Sequence, residues 1–340
     1  MQKQIRKAML CTVAMMLIAV VTLTGVTYAW FSESKEAYVN GLDMAVVKSS
    51  GGVYISTTPS DPGSFGDSVD ISPADGEIFS PVSTSAQPII TGEKDYLGMM
   101  KFYEGSLTGN NDTTLVTTEV KPEQRTGKYI FSYIYFDNSS SAEPLTVSLE
   151  GTEIKPTGTY THLATRLAIV NYGSITLEEY ANGAGSFPAE PQYKYKTEEG
   201  GGQSIVGFAD GVVQIFENDS GTHTVQGQNE YKKLYPTETN LDQTFKYFAV
   251  TRTTTETENG EEGTTGLNRF NKTPVTQPGG WLQEMTTKTN ASDVKITVPA
   301  GCLHKIALYV WIEGQDADCQ NNISSNSFTA AIVFKQVGAS

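Results

Sequence analysis

Few stretches of this chain leave as little conformational choice as His304 to Glu313, HKIALYVWIE. In an extended strand Ile306, Leu308, Val310 and Ile312 fall on one face, and Ala307, Tyr309 and Trp311 fall on the other. A strand that is apolar on both faces belongs in the middle of its sheet. On either side lie Val294 to Val298, ending in a Pro-Ala-Gly turn, and Phe328 to Gln336 after a polar turn. The expectation is three successive antiparallel strands.

Upstream, Lys128 to Phe136 (KYIFSYIYF) is aromatic and β-branched, and Leu145 to Leu149 alternates after a Ser-rich turn. Ala164 to Tyr172 suits strand or helix by periodicity alone, and strand is favoured because Gly173 ends it quickly among neighbouring strands; Val212 to Phe216 and Phe245 to Val250 read as further strands. Leu42 to Val47 and Val53 to Ser56, joined by Ser-Ser-Gly-Gly, read as a hairpin. Helix is confined to a turn at Thr176 to Tyr180 and a short amphipathic piece at Gly280 to Met285, where Trp281 is a packing residue. No segment after the N-terminal thirty residues sustains helical periodicity with caps. The expected fold is all-β, a two-sheet antiparallel sandwich of jelly-roll-like form, occupying residues 30–340 as a single extracellular domain. Long polar insertions fall at about 57–125, 181–211 and 251–292, the first holding one or two short strands.

The N-terminus carries the address. Lys3, Arg6 and Lys7 precede an uncharged run from Ala8 to Val26, which closes on Thr27-Tyr28-Ala29. As a helix that run spans about 28 Å, enough to cross a bilayer. Residues 1–29 are therefore a signal peptide or a membrane anchor, with 8–26 in the membrane before any cleavage. The basic head stays in the cytoplasm and the chain beyond Phe31 lies outside. Localisation is expected to be extracellular or at the cell surface, anchored there if the leader is kept.

Charge narrows the partners. The formal net charge is −14, and the leader takes basic residues but no acidic ones, so the remainder is more acidic still. Nucleic acid and anionic lipid both call for basic surface and are excluded as partners. Of the three cysteines, Cys11 sits in the leader. Cys302 and Cys319 flank opposite ends of the His304 to Glu313 strand, about 30 Å apart at strand rise, which argues against a disulfide between them.

Catalytic patterns are missing from the text. His162, His223 and His304 are isolated, and no HExxH pair, GxSxG elbow or phosphate-cradling GxxxxGK[ST] occurs. The expectation is a protein that is not an enzyme and needs no cofactor. One group of hard oxygen ligands stands out: Glu313, Asp316 and Asp318, followed by Asn321 and Asn322. Calcium is the cation such a set would take, although the spacing is not that of an EF-hand. Equally, Asp and Asn shape a turn between two strands.

TGVTYAWFSES, Thr24 to Ser34, resembles the end of the leader in Gram-positive exported proteins processed by a SipW-type signal peptidase, a group that includes the camelysin and TasA proteins. The ending LYVWIEGQDADCQNNISSNSFTAAIVF resembles the last strands of uncharacterised clostridial proteins with the same kind of leader. The resemblance implies signal peptidase as a partner and cleavage between Ala29 and Trp30. It also implies a jelly-roll-like sandwich that builds matrix fibres, in which the segment after the leader completes a neighbour's sheet. Trp30, Phe31, Tyr38 and Val39 would then carry self-association. Two function classes follow: a structural subunit of the cell surface or extracellular matrix, assembling into fibres, or a monomeric surface binding module whose aromatic and polar loops meet glycan or protein.

Overall fold

The structure is a computed structural model and describes residues 41–50, 53–59, 64–73, 77–85, 100–108, 114–156, 164–197, 199–217, 247–250, 282–285, 288, 290–314 and 327–338. Its strands are β1 Gly41–Ser50, β2 Tyr54–Ser56, β3 Ser68–Asp70, β4 Ser83–Ser85, β5 Lys101–Thr108, β6 Thr114–Val120, β7 Tyr129–Asn138, β8 Leu145–Ser148 and β9 Glu153–Pro156, followed by β10 Thr165–Thr176, β11 Tyr193–Thr197, β12 Gln203–Phe208, β13 Val213–Glu217, β14 Tyr247–Val250, β15 Leu282–Met285, β16 Lys295–Val298, β17 Cys302–Ile312 and β18 Ser327–Gln336. One short helix, α1 Leu177–Ala181, follows β10.

The doubly apolar strand is β17, and it lies in the centre of a five-stranded antiparallel sheet of order β13-β10-β17-β7-β2. Its even residues Ile306, Leu308, Val310 and Ile312 enter the larger core together with Val147, Phe328, Ala330, Ile332 and Phe334. That core lies between this sheet and a six-stranded one of order β16-β8-β18-β1-β3, in which β9 also pairs with β18. A fully buried Ile, Leu or Val side chain stabilises the fold by about 1.5–3 kcal/mol over an exposed one, so the alternation along β17 and β18 drives the stacking of the sheets. The protein is an all-β sandwich, as its sequence pattern implies.

The strand partners differ from the expected ones in three places. β16, β17 and β18 are not a meander: β16 pairs with β8, β17 with β10 and β7, and β18 with β1, β8 and β9. β1 and β2 are not a hairpin either, because β1 pairs in the six-stranded sheet and β2 pairs with β7 in the other. The Ser-Ser-Gly-Gly segment joins strands of opposite sheets, and Val47 and Ile55 meet the same core from its two sides. Alternation is the same in a hairpin and in such an arch, so local pattern could not separate them. Thirdly, β1 runs parallel to β18, against the expectation of a wholly antiparallel sandwich. Parallel neighbours need a long crossover, and here nearly the whole chain supplies it.

The stretch 57–125 is more ordered than a loop with one or two strands. It contributes β3 to β6, and β4-β5-β6 form a three-stranded sheet. Val82, Met100, Phe102 and Val120 from this layer pack on Tyr129, Tyr309 and Trp311, making a second core on the outer face of the five-stranded sheet. The sandwich therefore carries a third layer over part of one side. The second insertion folds into the β11–β12 hairpin, with Phe208 and Ala209 reaching the same second core. Gly280 to Met285 is not helical where it is described: Leu282–Met285 is a strand paired with β14. The helical turn near Thr176 is present as α1, closed by a capping box between Thr176 and Glu179. Residues 8–26 and Trp281 lie outside the described residues, among which no helix is long and apolar enough to cross a membrane.

Candidate functional site on the outer face of the five-stranded sheet

β7 reads YIFSYIYFDN, and its alternation sorts the residues cleanly. Ile130, Ile134 and Phe136 enter the inter-sheet core, while Tyr129, Phe131, Tyr133 and Tyr135 line the outer face. Register sets what stands beside them on β17: Trp311 opposite Tyr129, Tyr309 opposite Phe131, Ala307 opposite Tyr133, and Lys305 opposite Tyr135. The third layer covers the upper part of this row, with Phe102 stacked on Tyr129 at 4.1 Å and set edge-on to Trp311 at 5.4 Å. Lower down, Phe131, Tyr133, Tyr135 and Lys305 are only half-buried.

A β-bulge in β10 shapes the floor here. Asn171 pairs with Ile306 and Gly173 with Lys305, so Tyr172 is the extra residue. Gly173 has φ +122, a conformation side-chain-bearing residues rarely adopt, and an added Cβ would come within 3.3 Å of Pro188. The bulge leaves no side chain opposite Lys305 and sets Tyr172 beside it. Lys305 Nζ lies 3.9 Å from the Tyr133 ring centre and 4.3 Å from that of Tyr172, two rings at 89° to each other. The ammonium therefore occupies a corner of two aromatic faces, a cation–π arrangement that costs it water. Burial lowers the Lys305 amine below its ordinary range and raises the Tyr172 hydroxyl.

The rim comes from neighbouring elements. Phe187 packs on Tyr135 at 5.0 Å and on Tyr180 of α1 at 5.6 Å. Tyr193, at the start of β11, is pushed up to about 12 by burial and then by the Glu190 carboxylate. At the other end the Arg125 guanidinium carbon lies 5.6 Å from the Phe131 ring centre. This is a shallow, aromatic, cation-bearing face flanked by two inserted segments. Chemically it can stack flat apolar surfaces, offer phenolic hydroxyls as hydrogen-bond partners and meet negative charge. No protein-family model, curated protein or solved structure matches this chain.

The residues singled out from sequence fall elsewhere. Ala29, Trp30, Phe31, Tyr38, Val39, Asp316, Asp318, His162, His223 and Cys319 lie outside the described residues. Glu313 is fully buried at the end of β17, where one carboxylate oxygen accepts from Ser83 Oγ at 2.7 Å and the other from Trp311 Nε1 at 3.0 Å. Protein donors already engage both oxygens, and a calcium ion would have to compete with them. Among the described residues no three His, Cys, Asp or Glu side chains gather in a way that would hold a metal. His304 points into the sandwich, hydrogen-bonded through Nδ1 to Ser174 Oγ at 2.7 Å, and burial lowers it to about 4. Cys302 is a buried free thiol.

KYIFSYIYF is a strand signal in the sequence. The alternation that makes Phe131, Tyr133 and Tyr135 one row was available in the text. That the row lies beside Lys305 was not, because the β7–β17 register joins residues about 170 positions apart, a non-local pairing that local pattern does not specify.

Proposed function

We propose that this chain is an exported, non-enzymatic surface protein that recognises saccharide on the aromatic face between its two inserted segments. The observation that carries the reading is a row of half-buried rings, Phe131, Tyr133 and Tyr135, running on from the buried Tyr129, Tyr309 and Trp311 of the same face. Aromatic rings left part-open, with hydroxyls at the tips of the two tyrosines, suit polyhydroxylated rings that are apolar on one side and polar at the edge. Export is supported by the basic head, the uncharged run and the Thr27-Tyr28-Ala29 end of the leader. Retention of the purified full chain on an array of neutral and charged glycans tests the reading. The doubly substituted Phe131→Ala/Tyr135→Ala protein, checked by circular dichroism for an intact fold, is expected to lose that retention. Equal retention of the two proteins would overturn it.

A second reading, a structural subunit of surface or matrix that associates with its own kind, is favoured by a different observation. β3 pairs only with Val46, Val47 and Lys48 of β1, so among the described residues Gly41 to Ala45 have a strand neighbour, β18, on one side only. An open edge of that kind accepts another strand. Filaments seen by electron microscopy at rising protein concentration, and lost on deleting residues 30–40, would favour this reading.

A further inference from the structure

We infer that the saccharide taken by this face is an anionic one, with Lys305 and Arg125 reading its negative groups while the Phe131, Tyr133 and Tyr135 rings pack on its sugar faces. The inference rests on the recognition reading above and names the ligand class within it. Its ground is the pairing of cations across the described surface. Lys101, Lys128 and Lys335 each reach a carboxylate, on Glu119, Glu104 and Glu150 respectively. Lys305, Arg125, Lys288 and Lys295 form no ion pair with a described carboxylate, and of these four Lys305 and Arg125 are the two that meet aromatic rings. In a chain of net charge −14, two cations on one aromatic face with no ion-pair partner among the described residues mark a place where a ligand can supply negative charge.

The geometry suits that role. The Tyr133 and Tyr172 rings, on the two strands that flank β17, hold the Lys305 ammonium in the corner between them, which orients it and still leaves N–H donors for a third partner. Partial desolvation makes a charge-assisted contact there stronger than one in open water. Arg125 stands at the other end of the same row, over Phe131, so a saccharide lying along β7 would meet one cation near each end. The negative group can be a ring carboxylate, as in uronic or sialic acids, or a sulfate or phosphate ester. Both present oxygens that accept from an ammonium and a guanidinium.

The test uses the full chain on an array carrying uronate, sialylated, sulfated, phosphorylated and neutral glycans of matched backbones. Acidic glycans are expected to bind about tenfold or more tightly than their neutral counterparts, the size of a charge-assisted hydrogen bond. Lys305→Gln is expected to bring the acidic glycans down to the neutral level, Lys305→Arg to keep much of the preference, and Arg125→Gln to lower it in part. Should Lys305→Gln fail to fold by circular dichroism, Arg125→Gln at the rim still decides the matter. Equal binding of acidic and neutral glycans by the unaltered chain, or a preference that survives both Gln variants, would overturn this inference and leave the recognition reading standing. Retention of no saccharide at all would overturn both.

Discussion

Arg166 and Glu217 face each other across the β10–β13 pair, 2.8 Å apart from guanidinium to carboxylate, and both side chains are fully buried. They continue the outer-face row in which Arg166 also stands opposite Trp311. A buried pair of this kind gains little over apolar residues of the same volume, yet removing one partner strands a charge. Glu217→Gln or Arg166→Met alone should cost about 3–5 kcal/mol in chemical denaturation. The double variant Arg166→Met/Glu217→Leu should cost less than either single one, and a double variant at the sum of the two would show that the residues do not act as a pair.

Acid should weaken the fold through His304. Burial holds its folded pKa near 4, against an ordinary 6.5. The unfolded chain therefore takes up the proton first, and the contribution of the neutral ring is fully present above about pH 6.5. It is lost as pH falls from 6.5 towards 4, with a slope of at most about 1.4 kcal/mol per pH unit for one proton. Unfolding free energies of the wild type and His304→Gln, measured from pH 7 to 4, should converge across that window. A constant difference between them would refute the assignment.

Ser83 donates to Glu313 from the third layer onto the end of β17, and the backbone of Val82 bonds on either side of it, to Ile312 O and Gly314 N, each at 3.0 Å. Ser83→Ala withdraws a donor from a buried carboxylate and should cost about 1.5–3 kcal/mol. Hydrogen exchange should locate the effect, with faster exchange at β4 and in Lys101–Thr108 and no change in β18. Uniform loss of protection would mean that the layer and the sandwich unfold as one unit.

Gly173 holds the bulge that sets Tyr172 and Lys305 together. Gly173→Ala forces a side chain into φ +122 and against Pro188, and should cost about 1–3 kcal/mol. Because the strain falls beside Lys305, saccharide binding should weaken in the same variant. A thermal melt and binding curve both equal to wild type would show that the bulge relaxes freely.

Much of the fold was legible in advance because burial writes alternation into a strand. β7, β8, β13, β16, β17 and β18 all lie within a few residues of where the sequence pattern puts them, whereas β10, ambiguous by period, runs on through Gly173 to Thr176 by way of its bulge. Partner choice was not legible. β1 and β2 alternate as a hairpin would, yet serve opposite sheets, and β16 to β18 look like a meander while each pairs elsewhere. Leu282–Met285 differs from the expected helix for a similar reason: a short apolar run suits helix or strand, and pairing with β14 decides it.

By itself, the sequence determined an all-β chain and a strand so apolar on both faces that it had to be central. These follow from local composition and period, which any window of residues carries. Only the tertiary structure decided that the stretch 57–125 covers one end of that strand's outer face, and that Lys305 rests between Tyr133 and Tyr172 at the other. Arg166 meeting Glu217 belongs to the same class. Each joins residues far apart in the chain, and their meeting depends on sheet order, register and one bulge, none of which a local pattern encodes.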